Sequence, residues 1–320
     1  MASFEPITRR PPGQTRKYSA PDQTGAVPFT PPGTALECET AYQLWGDLTG
    51  SKTPVICLYG GPGASSVYMQ PFGFLNADYG VPVIMYDQLG CGKSTHLRNK
   101  KGDTAFWDID LFVAELENLV AGLNLSTMDL KGHSWGGQLA CKFAAAQPKG
   151  LRKLIVANPT ANTGDRTVNY KKQMASLPAP FGDIAAQAER HGNKDTPEHV
   201  SAEQENMHHY FCRLDPWPQE VLDCMAAIEE DDAVSSTMFE PLQSFDLKPA
   251  LCEISVETVS GGMLLINSRY DESVDGVVMP FFLLPTAKVK WVKLGESGHM
   301  SILEEPEAVL EVVGQFLSSQ

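Results

Sequence analysis

The residues of this chain best suited to chemistry are Gly132-His133-Ser134-Trp135-Gly136. A serine hydroxyl is a weak nucleophile until a base takes its proton. The pattern G-x-S-x-G supplies the setting for one. A sharp strand-to-helix turn lifts the serine oxygen above a sheet, and the glycines leave out side chains that would clash there. The helix that starts at the turn sets its partial positive charge beneath developing negative charge. The flanks agree: Met128–Lys131 reads as a short strand, and Gln138–Ala146 as an alanine-rich helix stopped by Pro148.

Chain order narrows the partners, because an acid and then a histidine follow the serine of such an elbow. His299, in Gly295-Glu296-Ser297-Gly298-His299-Met300, is the expected base. His191, His199, His208 and His209 fall in another segment and break that order. The acid is expected just after Met263–Asn267. Asp271 is placed for it, with Glu272 and Asp275 as close alternatives. An oxyanion needs two preorganised N–H donors. The backbone of Trp135 is one. The other is expected in Gly60-Gly61-Pro62-Gly63, from Gly61, with Gly60 letting the backbone approach a substrate carbonyl.

The elements that must position these residues are legible as alternation. Val55–Leu58 and Val81–Tyr86 are apolar runs that stop at glycine-rich loops, and Thr40–Trp45 is an earlier strand candidate. Phe106–Leu123 carries apolar residues at helical spacing. Leu154–Ala157, Met263–Ile266 and Val289–Val292 read as further strands, and Leu310–Leu317 as a terminal helix. Strands alternating with helices predict an α/β fold, a mostly parallel sheet with helices on both faces. Residues 161–250 break the pattern, being polar and helical in tendency, and are expected to form an inserted helical cap. Residues 35–160 and 251–320 are then the core, and the proline-rich residues 1–34 are expected to be an extension in coil.

The chain has 320 residues, 42% hydrophobic and 20% charged, enough to bury a sizeable core. Its net charge of −14, from 39 acidic and 25 basic residues, argues against nucleic acid and against an anionic membrane surface as partners. No apolar stretch approaches a spanning length, and residues 1–17 lack the apolar region of a secretory signal, so a cytoplasmic location is expected. Seven widely spaced cysteines without a C-x-x-C read as reduced thiols rather than a disulfide framework or zinc site. Gly90-Cys91-Gly92-Lys93-Ser94 lacks the glycine spacing of a phosphate loop. His208-His209 lacks metal-ligand spacing, and the sequon Asn124-Leu125-Ser126 carries little weight without a signal sequence.

Taken together, Gly60-Gly61-Pro62-Gly63, Tyr86-Asp87-Gln88-Leu89-Gly90-Cys91-Gly92-Lys93-Ser94, Gly132–Gly137, Arg269-Tyr270-Asp271, Gly298-His299-Met300 and the stretch Cys212–Pro218 resemble the proline iminopeptidase family of α/β-hydrolase-fold serine peptidases, including its amino-acid amidase and fungal branches. The resemblance spans most of the chain from about residue 26. It implies an α/β-hydrolase fold with a cap between strands six and seven, and a triad of Ser134, Asp271 and His299. It also implies release of an N-terminal residue from a short peptide or amide, a small-molecule or short-peptide substrate, and no metal or organic cofactor. Two positions depart from the family pattern. Tyr59 stands where a histidine is usual. Gln243 stands where a cap glutamate is expected to meet the substrate amine, with Glu203, Glu205 and Glu240 as carboxylates that would compensate. A neutral amide holds an ammonium less strongly than a carboxylate. The departure therefore keeps a second reading open: a hydrolase or acyl transferase acting on an ester, thioester or cyclic amide of a specialised metabolite. A non-catalytic binding protein on this fold is disfavoured by the intact serine, acid and histidine.

Overall fold

Val55–Leu58 (β3), Val83–Tyr86 (β4), Met128–His133 (β5), Leu151–Ala157 (β6) and Met263–Ser268 (β7) are buried nearly throughout. That is the pattern of parallel strands covered on both faces. The computed structural model describes residues 13–319. With Gln23–Phe29 (β1), Cys38–Trp45 (β2) and Val289–Leu294 (β8), the strands form one sheet in the order β1-β2-β4-β3-β5-β6-β7-β8. Pairing is parallel from β4 to β8 and antiparallel for β1 with β2 and for β2 with β4.

Strand β1 corrects the expectation of coil for residues 1–34, of which the first twelve lie outside the described residues. Only Val27 and Phe29 of β1 turn inward, too few for a visible period of two. Pro28, which has no N–H to give a ladder, is tolerated because β1 is an edge.

The helices of the core begin where local chemistry lets them. Phe74–Tyr79 (α1) is a single short piece. Ile109–Gly122 (α2) starts inside the expected Phe106–Leu123, because the Asp108 carboxylate caps it by accepting the Leu111 N–H at 2.8 Å. Trp135–Ala145 (α3) springs directly from Ser134.

Between β6 and β7 lie Thr163–Ser176 (α4), Phe181–His191 (α5), Pro197–Asn206 (α6), a π-turn at Met207–Phe211, Gln219–Glu230 (α7), Ala233–Gln243 (α8) and Lys248–Cys252 (α9). The chain leaves the sheet and returns at one place, where the Leu247 N–H donates to Ala161 O at 2.8 Å and Asn162 bridges Asp246. Across the molecule, the loop after β4 holds the turn between α7 and α8. His96 Nδ1 lies 2.5 Å from Asp231, Arg98 Nε donates to the same carboxylate at 3.3 Å, and Lys101 donates to Asp232 at 2.6 Å. Asp275–Leu283 (α10), Ser301–Glu304 (α11) and Pro306–Ser318 (α12) complete the chain. Proline at the first position of α12 sets its start before the expected Leu310.

Candidate active site

Ser134 follows β5 directly, with a positive φ of +54° and ψ −121°. A non-glycine residue held there is strained, and its surroundings must over-determine it. They do so by close packing. A Cβ on Gly132 would come within 2.2 Å of Gly136 O, and one on Gly136 within 2.3 Å of Leu58 O. The Ser134 N–H donates to Ala157 O at 2.9 Å, which fixes the elbow to the end of β6.

His299 and Asp271 come from the loops after β8 and β7 and meet under the same cavity floor. The His299 Nδ1–H donates to Asp271 Oδ1 at 2.9 Å, with Asp271 fully buried and His299 only 7% exposed. Asn158 Nδ2 donates to Asp271 Oδ2 at 2.6 Å, Ser301 Oγ donates to Asn158 Oδ1 at 2.9 Å, and Gln173 Nε2 donates to Asp271 O at 3.0 Å. Burial pulls the His299 pKa down, but the charge and hydrogen bond of Asp271, with Glu272 behind them, outweigh it and leave the pKa above its ordinary value. The alternatives for the acid are engaged elsewhere. Asp275 takes Lys293 and Asn267, and Glu272 takes Arg166.

The backbone around His299 is also fixed. Its N–H donates to Tyr210 O and that of Met300 to Phe211 O, both at 2.9 Å, so the π-turn of the inserted segment carries the histidine loop. Buried Glu304 accepts the N–H groups of Gly298 and Arg213 at 3.0 Å each and ties the same two segments.

Of the expected oxyanion donors, Trp135 occupies the first position of α3, where an N–H has no acceptor within the helix. Its indole donates to Gln88 Oε1 at 3.0 Å. The Gly60 N–H is taken by Tyr68 Oη at 2.5 Å, and Gly61 follows it in the loop that borders the cavity. Tyr59, in place of the usual histidine, is fully buried and its hydroxyl oxygen accepts the Gln88 N–H at 2.7 Å, bracing the loop after β4.

These residues open on a cavity of about 500 Å³ between the sheet and the inserted helices. Met207, Phe211, Met225, Ile228, Phe239 and Leu242 give it an apolar wall; Arg166, Tyr170, Asn206, Gln243 and Glu272 give it a polar end. Gln243 thus borders the cavity, whereas Glu203, Glu205 and Glu240 are not among its lining residues. Ser235, Phe239, Leu242 and Gln243 of α8 border the cavity, with Phe239 and Gln243 largely exposed at their outer sides, and exposed Glu240 is not among the lining residues. Glu203 stands one turn before Asn206, half-exposed and 3.4 Å from His199, and neither it nor Glu205 lines the cavity. The acidic side chain among the described lining residues is Glu272, considered in the sequence only as a triad acid. Arg166 Nε donates to its Oε1 at 2.7 Å, and a terminal nitrogen of the same guanidinium lies 2.6 Å from that oxygen. Burial first, then the charges of Glu203 and Glu272, raise the Tyr170 pKa to about 12, against Arg166, which lowers it.

Sequence reasoning missed Asn158, Tyr68, His133 and Arg166. Asn158 had a readable signal, as the residue at the carboxyl end of a parallel strand, where such sheets place their sites. The others had none, since each acts through a partner distant in the chain. His208 and His209 pack against Trp217 and Tyr270 respectively. The described residues hold no cluster of three His, Cys, Asp or Glu that fits a metal, and no described helix is long and apolar enough to cross a membrane.

Comparison with known proteins gives a consistent picture. The α/β hydrolase fold family model matches residues 53–306. The chain is 32% identical to the proline iminopeptidase of Heyndrickxia coagulans over 276 residues, covering 85% of this chain and 93% of that protein. Among solved structures, VinJ superposes with a TM-score of 0.82 at 34% identity, covering 93% of this chain and 98% of VinJ. The proline iminopeptidase of Mycobacterium smegmatis superposes with a TM-score of 0.82 at 30% identity, covering 92% and 97%.

Proposed function

Because this chain belongs to the proline iminopeptidase family of α/β-hydrolase-fold proteins, we propose that it is a serine hydrolase releasing an N-terminal residue, proline foremost, from short peptides or amino-acid amides through an acyl-enzyme on Ser134. The observation that carries this reading is the commitment of His299 Nδ1 to buried Asp271, which leaves Nε2 as the base for a strained serine bordering the same cavity. Ser134 Oγ attacks the carbonyl carbon as His299 Nε2 takes its proton. The Trp135 and Gly61 N–H groups receive the oxyanion. His299 returns the proton to the leaving nitrogen, and water, activated by the same base, releases the acyl group. Asp271 orients the imidazole and stabilises its charged form.

Amine recognition, left without its expected cap glutamate, falls in this reading to Glu272. With Arg166 on Oε1, Oε2 remains for a substrate ammonium. Asn206, 6% exposed, adds an Nδ2 group with no protein partner, suited to a substrate carbonyl. The test is hydrolysis of arylamides of proline, alanine and phenylalanine, each with a free and an acetylated amine. Turnover is expected to need the free amine and to be best for proline. Glu272→Gln should raise KM for the free-amine substrate by about tenfold or more, the worth of a charge-assisted hydrogen bond. An absence of turnover on every free-amine substrate would overturn the reading in favour of esters and metabolite-derived acyl groups.

The pH profile follows from the base. His299 works only when neutral, and its pKa is raised. The acid limb of kcat/KM is therefore expected to have its midpoint above the ordinary histidine value of about 6.5. A midpoint well below that value would exclude His299 as the base.

A further inference from the structure

One buried hydrogen-bond chain touches all three parts of the proposed machinery. The Gly60 N–H lies 2.5 Å from Tyr68 Oη, Tyr68 Oη lies 2.8 Å from His133 Nδ1, and His133 Nε2 lies 2.9 Å from His299 O. Both side chains are at most 2% exposed. The ends fix the direction of every proton, because a backbone N–H only donates and a carbonyl only accepts. His133 Nε2 must therefore carry its proton toward His299 O. Burial first, then the neighbouring His299 and Lys131, hold the His133 pKa well below its ordinary value, so the ring is neutral and Nδ1 is bare. Nδ1 accepts the Tyr68 hydroxyl proton, and the Tyr68 oxygen is left to accept from Gly60. Each bond polarises the next, and the chain has one consistent orientation.

We infer that Tyr68 and His133 are positioning residues that lock the oxyanion loop, the nucleophile elbow and the base to one another. The inference rests on the reading of Ser134 and His299 given above. The relay pins the loop at Gly60, one residue before the proposed donor Gly61. It runs through His133, the residue before Ser134. It ends on the backbone of His299, whose N–H is already held by Tyr210 O. A small displacement at any of the three would separate groups that must act together in the transition state, whereas the substrate is held mainly by the cavity walls. Loss of the relay should therefore fall on kcat rather than on KM.

The test uses the full chain, with active sites counted by a fluorophosphonate probe, in which Ser134 Oγ bonds to phosphorus and fluoride leaves. Tyr68→Phe removes both inner links and is expected to lower kcat per titrated site by about 10- to 100-fold with KM changed by no more than about twofold. A kcat per site within about twofold of wild type would overturn the inference. Should Tyr68→Phe fail to fold, His133→Gln and His133→Leu decide. The glutamine amide can keep the donor to His299 O, and leucine keeps neither link. The glutamine variant is expected to retain at least about tenfold more kcat per site, and equal values for the two would overturn the inference. A wild-type protein that the probe does not label would instead overturn the assignment of Ser134 itself.

Discussion

Replacing Ser134 by alanine is expected to lower kcat/KM on a free-amine proline arylamide by about 10⁵-fold or more, while the folded state persists. Triads lose most of their rate when the nucleophile goes, and the residue of catalysis comes from the oxyanion donors and binding alone. The folded state should tolerate the change, because the elbow is held by the Ser134 N–H to Ala157 O bond and by glycine packing, neither of which uses the hydroxyl. Steady-state rates with a thermal melt measure both. Activity above about one hundredth of wild type would mean that another group attacks the carbonyl.

The second large effect is expected at Asp271. Its two oxygens are assigned: Oδ1 accepts from His299 and Oδ2 from Asn158. Turning the Asn158 amide over would require both hydroxyls that it meets, Ser301 and Ser268, to reverse their protons. Asp271→Asn must then set an NH₂ against one of two donors. Facing Asn158, it leaves two N–H groups opposed. Facing His299, it forces Nδ1 to accept and moves the imidazole proton to Nε2, where the base should be empty. Either way kcat should fall by about 10⁴-fold, the size that a wrong tautomer costs a triad. Asp275→Asn should change kcat by less than about tenfold, since Asp275 serves Lys293 and Asn267. Comparable losses at the two positions would remove Asp271 from its role.

Much of this architecture is legible in the sequence because it follows from local physics. Short apolar runs declare β3, β4, β7 and the end of β6, while β5, with buried Asp129, Lys131 and His133, is legible from its place before the elbow. The elbow announces itself because two glycines are demanded by contacts of about 2 Å. Chain order then isolates His299. What stays hidden is either weakly patterned or non-local. Strand β1 shows two inward residues around a proline. Helix α10 carries Pro280 and is apolar on all sides, so it has no helical stripe. The polar end of the cavity is misread for a geometric reason. Helix α8 sets Phe239 and Gln243 along the cavity and leaves Glu240 out of its lining, while Glu272 arrives from the loop of the expected triad acid, next to a residue already assigned. No spacing rule links Arg166 to Glu272; only the return of the chain from α4 to β7 does.

That return has an evolutionary corollary. The inserted segment starts and ends at one hydrogen-bonded doorway, Ala161 with Leu247, and β6 and β7 pair directly with each other from Leu154–Met263 to Ala157–Ile266. Closing a longer or shorter excursion changes the entropy only logarithmically, so helices can be gained, lost or reshaped there without disturbing the sheet. Two stretches are exempt: α4, whose Arg166, Asn169 and Gln173 hold Asp271 and Glu272, and Met207–Arg213, which carries the backbone acceptors for His299 and Met300 and the link to Glu304. The rest of the segment, α5 above all, is thus where its length and shape are free to change.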